Sequence, residues 1–202
     1  RIKIESAVDA GSGRTVIAPA SNSRLITLGG NDETNALNLS AAELSHLTAS
    51  LLQLRSVAGI DVGGGNAGTV TLASVPALSL ETSGAITQTA GLVVGQLQAT
   101  GATVTLDNAA NQIGAISGRS TSGAFQVTSG NAAPLTVGTV AGVAGIDSGA
   151  STTRLTNTNG AIVQTQAIVA GSFNGSSHGG MNLGLASNQI GAFAASNSGT
   201  GD

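Results

Sequence analysis

The sequence has no cysteine, tryptophan or tyrosine, and it is poor in charge and aromatic residues: 8% of its 202 residues are charged and 1% are aromatic. Without cysteine, the chain forms no disulfide and does no thiol chemistry. Its seven Lys and Arg residues and net charge of −3 do not supply the clustered cationic surface that nucleic acid requires. No apolar run approaches the roughly 20 residues of a membrane-spanning helix.

Small and aliphatic residues dominate instead, with 41% hydrophobic residues and 30 glycines. The regularly spaced Val, Leu, Ile and Ala residues are not typical of disorder, and the glycines lack the period of three of collagen. Such side chains fill thin layers between stacked strands. Arg1 is not followed by a signal-peptide pattern, so we expect a processed product or a fragment of a longer protein.

An internal repeat organises the chain, and residues 83–118 return in similar form at 159–195. Ser83–Thr89 (SGAITQT) recurs as Asn159–Thr165 (NGAIVQT), an offset of 76 (159 − 83), whereas Asn111 recurs as Asn188, an offset of 77 (188 − 111). The extra residue falls after Phe173, and we expect a Gly/Ser loop over 174–180 to hold it. A core that keeps its apolar positions while a loop takes the insertion is typical of repeat architectures.

Short alternating segments bounded by Gly, Asn, Ser or Asp predict β-strands. The predicted strands are Arg1–Ser6, Arg14–Pro19, Arg24–Leu28, Leu51–Ser56, Thr69–Ala73, Leu78–Thr82, Ala85–Thr89, Leu92–Leu97, Ala102–Leu106, Gln112–Ile116, Ala124–Thr128, Leu135–Val140, Thr152–Asn157, Ala161–Thr165, Ile168–Phe173, Met181–Leu185 and Gln189–Phe193. A sandwich of hairpins and a β-helix both fit this spacing.

Sparse hairpin signals, of which Asn159-Gly160 is the main one, and the internal repeat favour the β-helix. We therefore predict an all-β fold, a β-helix that forms a single domain over residues 1–202. At roughly 20 residues a coil and about 4.8 Å between strands, about ten coils would make a rod on the order of 50 Å long.

One segment departs from the strand pattern. Ser40 and Glu43 form a capping-box sequence, with Leu39 and Leu44 at the flanking staple positions. Because Ala, Leu and Glu favour helix, we predict one to three helical turns near residues 41–49.

Two glycine-rich segments match motifs of catalysis or binding. Gly63–Gly68 satisfies GxGxxG, but a strand follows at Thr69 where dinucleotide binding needs a helix, so we predict a turn. Gly175–Gly179 satisfies GxSxG, but it lies within the expected insertion loop and lacks the following helix of a nucleophile elbow.

Metal ligands and catalytic acids are also sparse. His46 and His178 are isolated, and Asn31–Asn35, although it could ligate calcium, is better interpreted as a solvated turn. The acidic residues Asp61, Glu81, Asp107 and Asp147 are scattered, whereas carbohydrate-cleaving enzymes cluster theirs. We assign no catalytic, cofactor-binding or metal-binding residue, and we expect a protein that is not an enzyme and holds no cofactor.

Repeated polar residues could serve either ligands or the fold. Asn111 and Asn188 could contact a ligand at intervals, but Asn tolerates turns and its amide can bond a neighbouring coil, so we favour a structural role. The Thr-x-Thr units at 69–71 and 103–105 are too few for a regular ice-binding or glycan-binding array.

Several segments resemble repeat regions of known proteins: Thr15–Ala20 (TVIAPA), Ile26–Gly30 (ITLGG), Leu37–Ala49 (LNLSAAELSHLTA), the GAITQ and NQIGAI units, and Leu135–Ile146. The chain is similar to filamentous-haemagglutinin-like exoproteins of two-partner secretion systems and to giant bacterial adhesins. The secretion domain of that family carries an Asn-Pro-rich motif, and no Asn-Pro pair occurs here. We therefore expect interior repeat.

The resemblance implies a right-handed parallel β-helix, an extracellular or bacterial cell-surface location, and adhesion. The partners that we expect are neighbouring repeats of the same polypeptide or end-to-end copies, an outer-membrane transporter during secretion, and a glycan or cell-surface receptor. Three functions are weighed: the stalk of an adhesin, a self-assembling extracellular filament subunit, and a carbohydrate-active β-helix enzyme, the least favoured of the three.

Overall fold

A computed structural model describes residues 3–30, 35–66 and 68–199, and within them the chain is mostly β-strand with one short helix. The helix α1 is Ala41–Ser45. The strands are β1 Val8–Asp9, β2 Arg14–Ile17, β3 Leu25–Leu28, β4 Ala36–Leu39, β5 Leu47–Thr48, β6 Leu51–Ser56, β7 Gly59–Val62, β8 Thr69–Thr71, β9 Ala77–Thr82, β10 Ala85–Gln88, β11 Gly91–Gly101, β12 Val104–Leu106, β13 Gln112–Ser120, β14 Phe125–Ser129, β15 Leu135–Val137, β16 Thr139–Val140, β17 Val143–Ala144, β18 Ile146–Asp147, β19 Thr152–Asn157, β20 Ile162–Gln164, β21 Ile168–Ser177, β22 Met181–Asn182 and β23 Gln189–Asn197.

The strands pair in parallel, and 19 of them form one sheet within the described residues. Within the repeat, strands pair with strands of a later coil, as Leu97 does with Ile116 and Phe173 with Phe193. β16 and β17 are the one antiparallel pair in the described part of the chain. The all-β expectation is confirmed, and a sandwich of antiparallel hairpins is excluded.

The strands fall into three stacks. Stack 1 contains β2, β6, β9, the second half of β11 and β13. Stack 2 contains β4, β3, β7, β10, β12, β14, β19 and the second halves of β21 and β23. Stack 3 contains β8 and the first halves of β11 and β13.

The core consists of apolar columns between these stacks. One column in stack 1 is Leu52, Leu78, Leu97, Ile116 and Val137, each paired with the next and each fully buried. A column in stack 2 is Ile26, Ile60, Ile86, Val104, Phe125, Thr153 and Phe173, likewise buried. Burying a Leu, Ile or Phe side chain contributes about 1.5–3 kcal/mol, so the stacking stabilises the fold.

Long strands bend from one stack to the next at glycine. Gly95 in β11 and its repeat equivalent Gly171 in β21 occupy these bends. A Cβ on Gly171 would lie 2.0 Å from the carbonyl oxygen of Ala150, and one on Gly95 would lie 3.1 Å from that of Pro76. At Gly171 the backbone of the turn before β19 lies too close for a side chain, whereas at Gly95 the residue before β9 would leave a tight contact.

A hairpin inserted into stack 1 changes the arrangement after residue 137. β13 is followed in its stack by two short strands, β15 and β18, and the hairpin of β16 and β17 lies between them. Both continue separately, β15 to β20 and β22, and β18 to β21 and β23. One strand of stack 1 thus becomes two, and the second copy of the repeat is displaced by one stack.

The helix forms where the capping box predicts it but is shorter than expected. Ser40 accepts a hydrogen bond from the backbone N–H of Glu43, and the Glu43 carboxylate accepts one from the N–H of Ser40 (2.8 Å). The helix ends at Ser45, and Leu47–Thr48 pairs in parallel with Val8–Asp9, so the prediction of helix to residue 49 is wrong at its C-terminal end.

Several strand and loop predictions also need correction. Lys3–Ser6, the described part of the first predicted strand, is not strand. Among the described residues, six strands were not predicted: β1, β4, β5, β7, β17 and β18. The predicted strand over 135–140 divides into β15 and β16. The expected loop over 174–180 is wrong over 174–177, because these residues continue β21; the insertion lies in the turn 178–180, whose counterpart is residues 102–103.

Candidate functional site

A groove crosses the outer face of stack 1. It has a volume of about 670 Å³, and its floor consists of the C-terminal halves of β6, β9 and β11. One wall contains Ala18, Pro19 and Asn22, which follow β2, and the other contains Val143 of the β16–β17 hairpin. The groove therefore lies where the hairpin folds over the otherwise regular sheet.

Two rows of polar side chains run across these strands. The inner row, which is buried, is Gln53, Ser79, Gln98 and Ser117. The outer row is Arg55, Glu81, Thr100, Arg119 and Asp147. Parallel pairing in register brings each row together from distant positions in the chain.

The Glu81 carboxylate joins the two rows. One oxygen accepts hydrogen bonds from Gln53 Nε2 (2.6 Å) and from Ser79 Oγ (3.3 Å). The other lies 3.3 Å from Arg55 Nε. The Gln98 amide accepts from Ser79 Oγ and donates to Thr100 Oγ1 (2.6 Å), so the floor is a connected network of fixed orientation.

The hairpin wall has a defined turn. Ala141 and Gly142 both have positive φ, 50° and 82°, as a two-residue type I′ turn requires. Gly145 N donates to the carbonyl of Gly138 (2.8 Å) and closes the base of the hairpin. Ser117 Oγ donates to the Val140 carbonyl (3.3 Å), which fixes the hairpin against the sheet.

The groove contains few charged side chains. Among the described residues that line it, Glu81 is the single carboxylate and Arg55 the single cation, whereas glycoside hydrolysis uses a pair of carboxyl groups. No group of three or more His, Cys, Asp or Glu that could hold a metal ion occurs in the described part of the chain.

Sequence analysis did not find this site. Arg55, Gln98 and Thr100 are ordinary strand residues in the sequence, and Glu81 was judged an isolated acid. Only the register between strands could have identified the site, because pairing places Arg55 beside Glu81 and Glu81 beside Thr100. The number of residues between paired positions varies with the length of the turns, so the sequence does not give this register.

In the described residues, the GxGxxG and GxSxG matches lie in turns and strand ends that lack the helix required for dinucleotide binding or for a nucleophile elbow. The described residues of Gly63–Gly68 connect β7 to β8, which confirms a turn between strands. Within Gly175–Gly179, Ser177 is buried at the end of β21, and a turn follows rather than a helix. His46 caps α1 and His178 lies in the turn after β21. The candidate calcium residues 31–34 lie outside the described residues.

Asn111 has the structural role that we predicted. Its side chain is fully buried, and its amide nitrogen donates to the carbonyls of Leu106 and Thr128, both at 3.0 Å. Its oxygen accepts from the backbone N–H of Leu92 (2.8 Å), and its amide also pairs with that of Gln88. The side chain thus connects three successive segments of the stacks.

Asn188 repeats this arrangement. Its amide forms two hydrogen bonds of 2.8 Å with the amide of Gln164. Its nitrogen donates to the Leu183 carbonyl and its oxygen accepts from Ile168 N, each at 2.9 Å. The repeated Asn–Gln pairs, here called amide clamps, therefore hold equivalent turns.

Comparisons with protein-family models, with curated proteins and with solved structures each find no match to this chain. Within the described residues, none of the helical structure has the length and apolar character needed to cross a membrane.

Proposed function

We propose that the chain is a right-handed parallel β-helix that serves as a stalk segment of a secreted or cell-surface bacterial adhesin. The observation that carries the proposal is the parallel pairing of strands about one coil apart, with apolar residues in continuous buried columns. No single coil can bury its own apolar face, so stacking makes a stiff element.

The amide clamps and the bend glycines support the same proposal. The clamps Gln88–Asn111 and Gln164–Asn188 join successive coils by hydrogen bonds, and the glycines at the bends of β11 and β21 allow close packing between coils. A stalk that holds a binding domain away from the cell needs stiffness, which these features supply, and it needs no catalytic residues. The further partners of the proposal are the next repeats of the polypeptide, an outer-membrane transporter during export, and a glycan or cell-surface receptor.

Localisation tests the biological part of the proposal. Antibodies raised against the purified chain should label the outside of intact bacteria that carry its gene, as seen by immunogold electron microscopy. Permeabilised cells provide the control for intracellular protein. Label that appears only after permeabilisation would contradict a surface stalk. An experimental structure with a left-handed winding would contradict the proposed handedness.

A second candidate is a self-assembling filament subunit, favoured by the exposed face of β23. Phe193 is 58% exposed, and nearly all of β23 is open to solvent. The opposite end of stack 2 differs, because all four residues of β4 are buried and α1 follows directly with Leu44 in the same core. Unpaired strand edges are ready templates for pairing.

Sedimentation of the purified chain over a range of concentrations distinguishes the candidates. The stalk proposal expects monomers. Since the end at β4 is covered, association through β23 alone would stop at dimers, and long fibres would require both ends to join. Fibres in electron micrographs would therefore favour the filament and count against the stalk.

A further inference from the structure

We propose that the groove on stack 1 binds a neutral oligosaccharide, which lies across β6, β9 and β11 beside the β16–β17 hairpin. The inference deepens the proposed function and rests on it for the class of ligand, because it assigns the glycan partner named there to a defined groove. It rests on four features: the charge balance of the groove, its fixed polar side chains, its lack of a strand edge, and its hairpin wall.

The charge of the groove favours a neutral ligand. Arg55 and Glu81, its only charged groups among the described lining residues, pair with each other and cancel. An acidic sugar chain would meet Glu81 unfavourably, and a cationic ligand would meet Arg55. The remaining polar groups are hydroxyls and amides, including Thr82, Gln98 and Thr100.

These side chains retain capacity for a ligand while their positions are fixed. Arg55 uses Nε for Glu81, and its side chain is 62% exposed, which leaves it accessible to a ligand. Thr100 Oγ1 accepts from Gln98 and keeps its own proton to donate. Groups that are oriented before binding lose little entropy on binding. Sugar hydroxyls both donate and accept, which matches this mixture.

A peptide that binds by adding a strand does not fit the groove. β6 pairs on both sides, with β2 and β9, and β11 pairs with β9 and β13. The backbone groups of the floor are therefore already bonded within the sheet, and strand addition needs a free edge. Recognition must come from the side chains.

The hairpin borders the groove on one side. Val143 and the segment from Ala18 to Asn22 line a depression that is open to solvent above the sheet. The hairpin is not required for stacking, because β15 and β18 already continue stack 1. Its fixed position over Ser117 makes it a wall.

Isothermal titration of the purified chain with maltohexaose, cellohexaose, xylohexaose and mannohexaose tests the proposal, with hexagalacturonic acid as the charged comparison. We expect at least one neutral hexasaccharide to bind more tightly than the acidic one. Arg55→Gln should weaken that binding about tenfold or more. Thr100→Val, which removes one hydroxyl and keeps the side-chain shape, should weaken it severalfold.

Arg119→Gln is the matched control. It makes the same substitution in the same row and also breaks an ion pair, with Asp147 at 2.6 Å, but it lies outside the groove lining. Its affinity should stay within about twofold of the unmodified chain. Circular dichroism verifies folding, and Val143→Arg, which should occlude the groove, supplies an independent loss of binding.

Three results would overturn the proposal. The first is no binding of any neutral hexasaccharide at millimolar concentration. The second is binding that Arg55→Gln and Arg119→Gln weaken equally, because the ligand would then lie elsewhere. The third is preference for hexagalacturonic acid, which would contradict the charge argument. Failure here leaves the stalk proposal standing, since that is tested by localisation and sedimentation.

Discussion

The two copies of the internal repeat, 83–118 and 159–195, share local structure but lie in different places in the fold. Leu97 of the first copy stands in stack 1, paired with Leu78 and Ile116. Its equivalent Phe173 stands in stack 2, paired with Thr153 and Phe193. The repeat is therefore not a whole number of coils.

What the copies share is a turn with its amide clamp and a bend with its glycine. Both features depend only on nearby residues, so they form at a bend between any two of the stacks. What differs is burial: the first copy has coils on both sides, whereas the last strand of the second copy, β23, is exposed. Equivalent substitutions in the two copies should therefore differ in cost.

The largest difference is expected at the equivalent residues Ile116 and Phe193. Ile116 is fully buried between Leu97 and Val137, so Ile116→Ala should cost about 4 kcal/mol through the cavity left behind. Phe193 is 58% exposed and stacks on Phe173 with ring centroids 5.4 Å apart, so Phe193→Ala should cost about 1 kcal/mol. Urea unfolding measures both, and equal costs would show that β23 is covered in solution.

At the bend glycines, substitution should cost more in the second copy of the repeat than in the first. Gly171→Ala places a Cβ 2.0 Å from a backbone oxygen, so β21 must shift, at a cost of about 3 kcal/mol. Gly95→Ala meets its nearest oxygen at 3.1 Å, and a small displacement accommodates it, at about 1 kcal/mol. Thermal unfolding compares the two variants, and a harmless Gly171→Ala would contradict the close packing of the bend.

The amide clamps give a third matched pair. Asn111→Ala leaves buried backbone groups of Leu92, Leu106 and Thr128 without their partner, and we expect a loss of about 3 kcal/mol. Asn188 is half-buried, so water replaces part of what Asn188→Ala removes, and about 1 kcal/mol is expected. Double-mutant cycles that pair Asn111 with Gln88 and Asn188 with Gln164 measure the coupling energy of each clamp. Zero coupling energy in both cycles would show that the clamps do not stabilise the fold.

The smallest effect is expected in the turn that carries the insertion. Adding one glycine after Ala102 would give the first copy the three-residue turn of the second at 178–180. Since turns between stacked strands vary in length along this chain, we expect a loss below about 1 kcal/mol. Hydrogen exchange of the β11 and β12 amides is the measurement, and loss of protection across both strands would contradict a tolerant turn.

Much of the fold was accessible from sequence because it depends on local patterns. The alternation in Leu51–Ser56 and Thr152–Asn157 gave those strands to the residue, and Ser40 with Glu43 gave the start of the helix. The repeat gave the structural role of Asn111. β4 and β7 were not predicted because each is four residues long and has only two apolar residues in alternation, too few to distinguish a strand from a loop.

The site was not accessible, because it depends on register. Arg55, Glu81 and Thr100 become neighbours only after the turns between their strands have fixed which residues pair. The β16–β17 hairpin was not predicted because Ala141-Gly142 is a weak turn signal within a mostly apolar segment. The stronger signal, Asn159-Gly160, forms no hairpin.

The sequence by itself determined the strand class, the alternation of apolar residues within strands, the helix start and the structural use of its repeated asparagines, because each follows from side chains a few residues apart. Only the tertiary structure decided which strands lie side by side, where the hairpin folds, and that the second copy is displaced by one stack. The physical reason is that pairing across a coil depends on the summed lengths of all intervening turns, which no local pattern records.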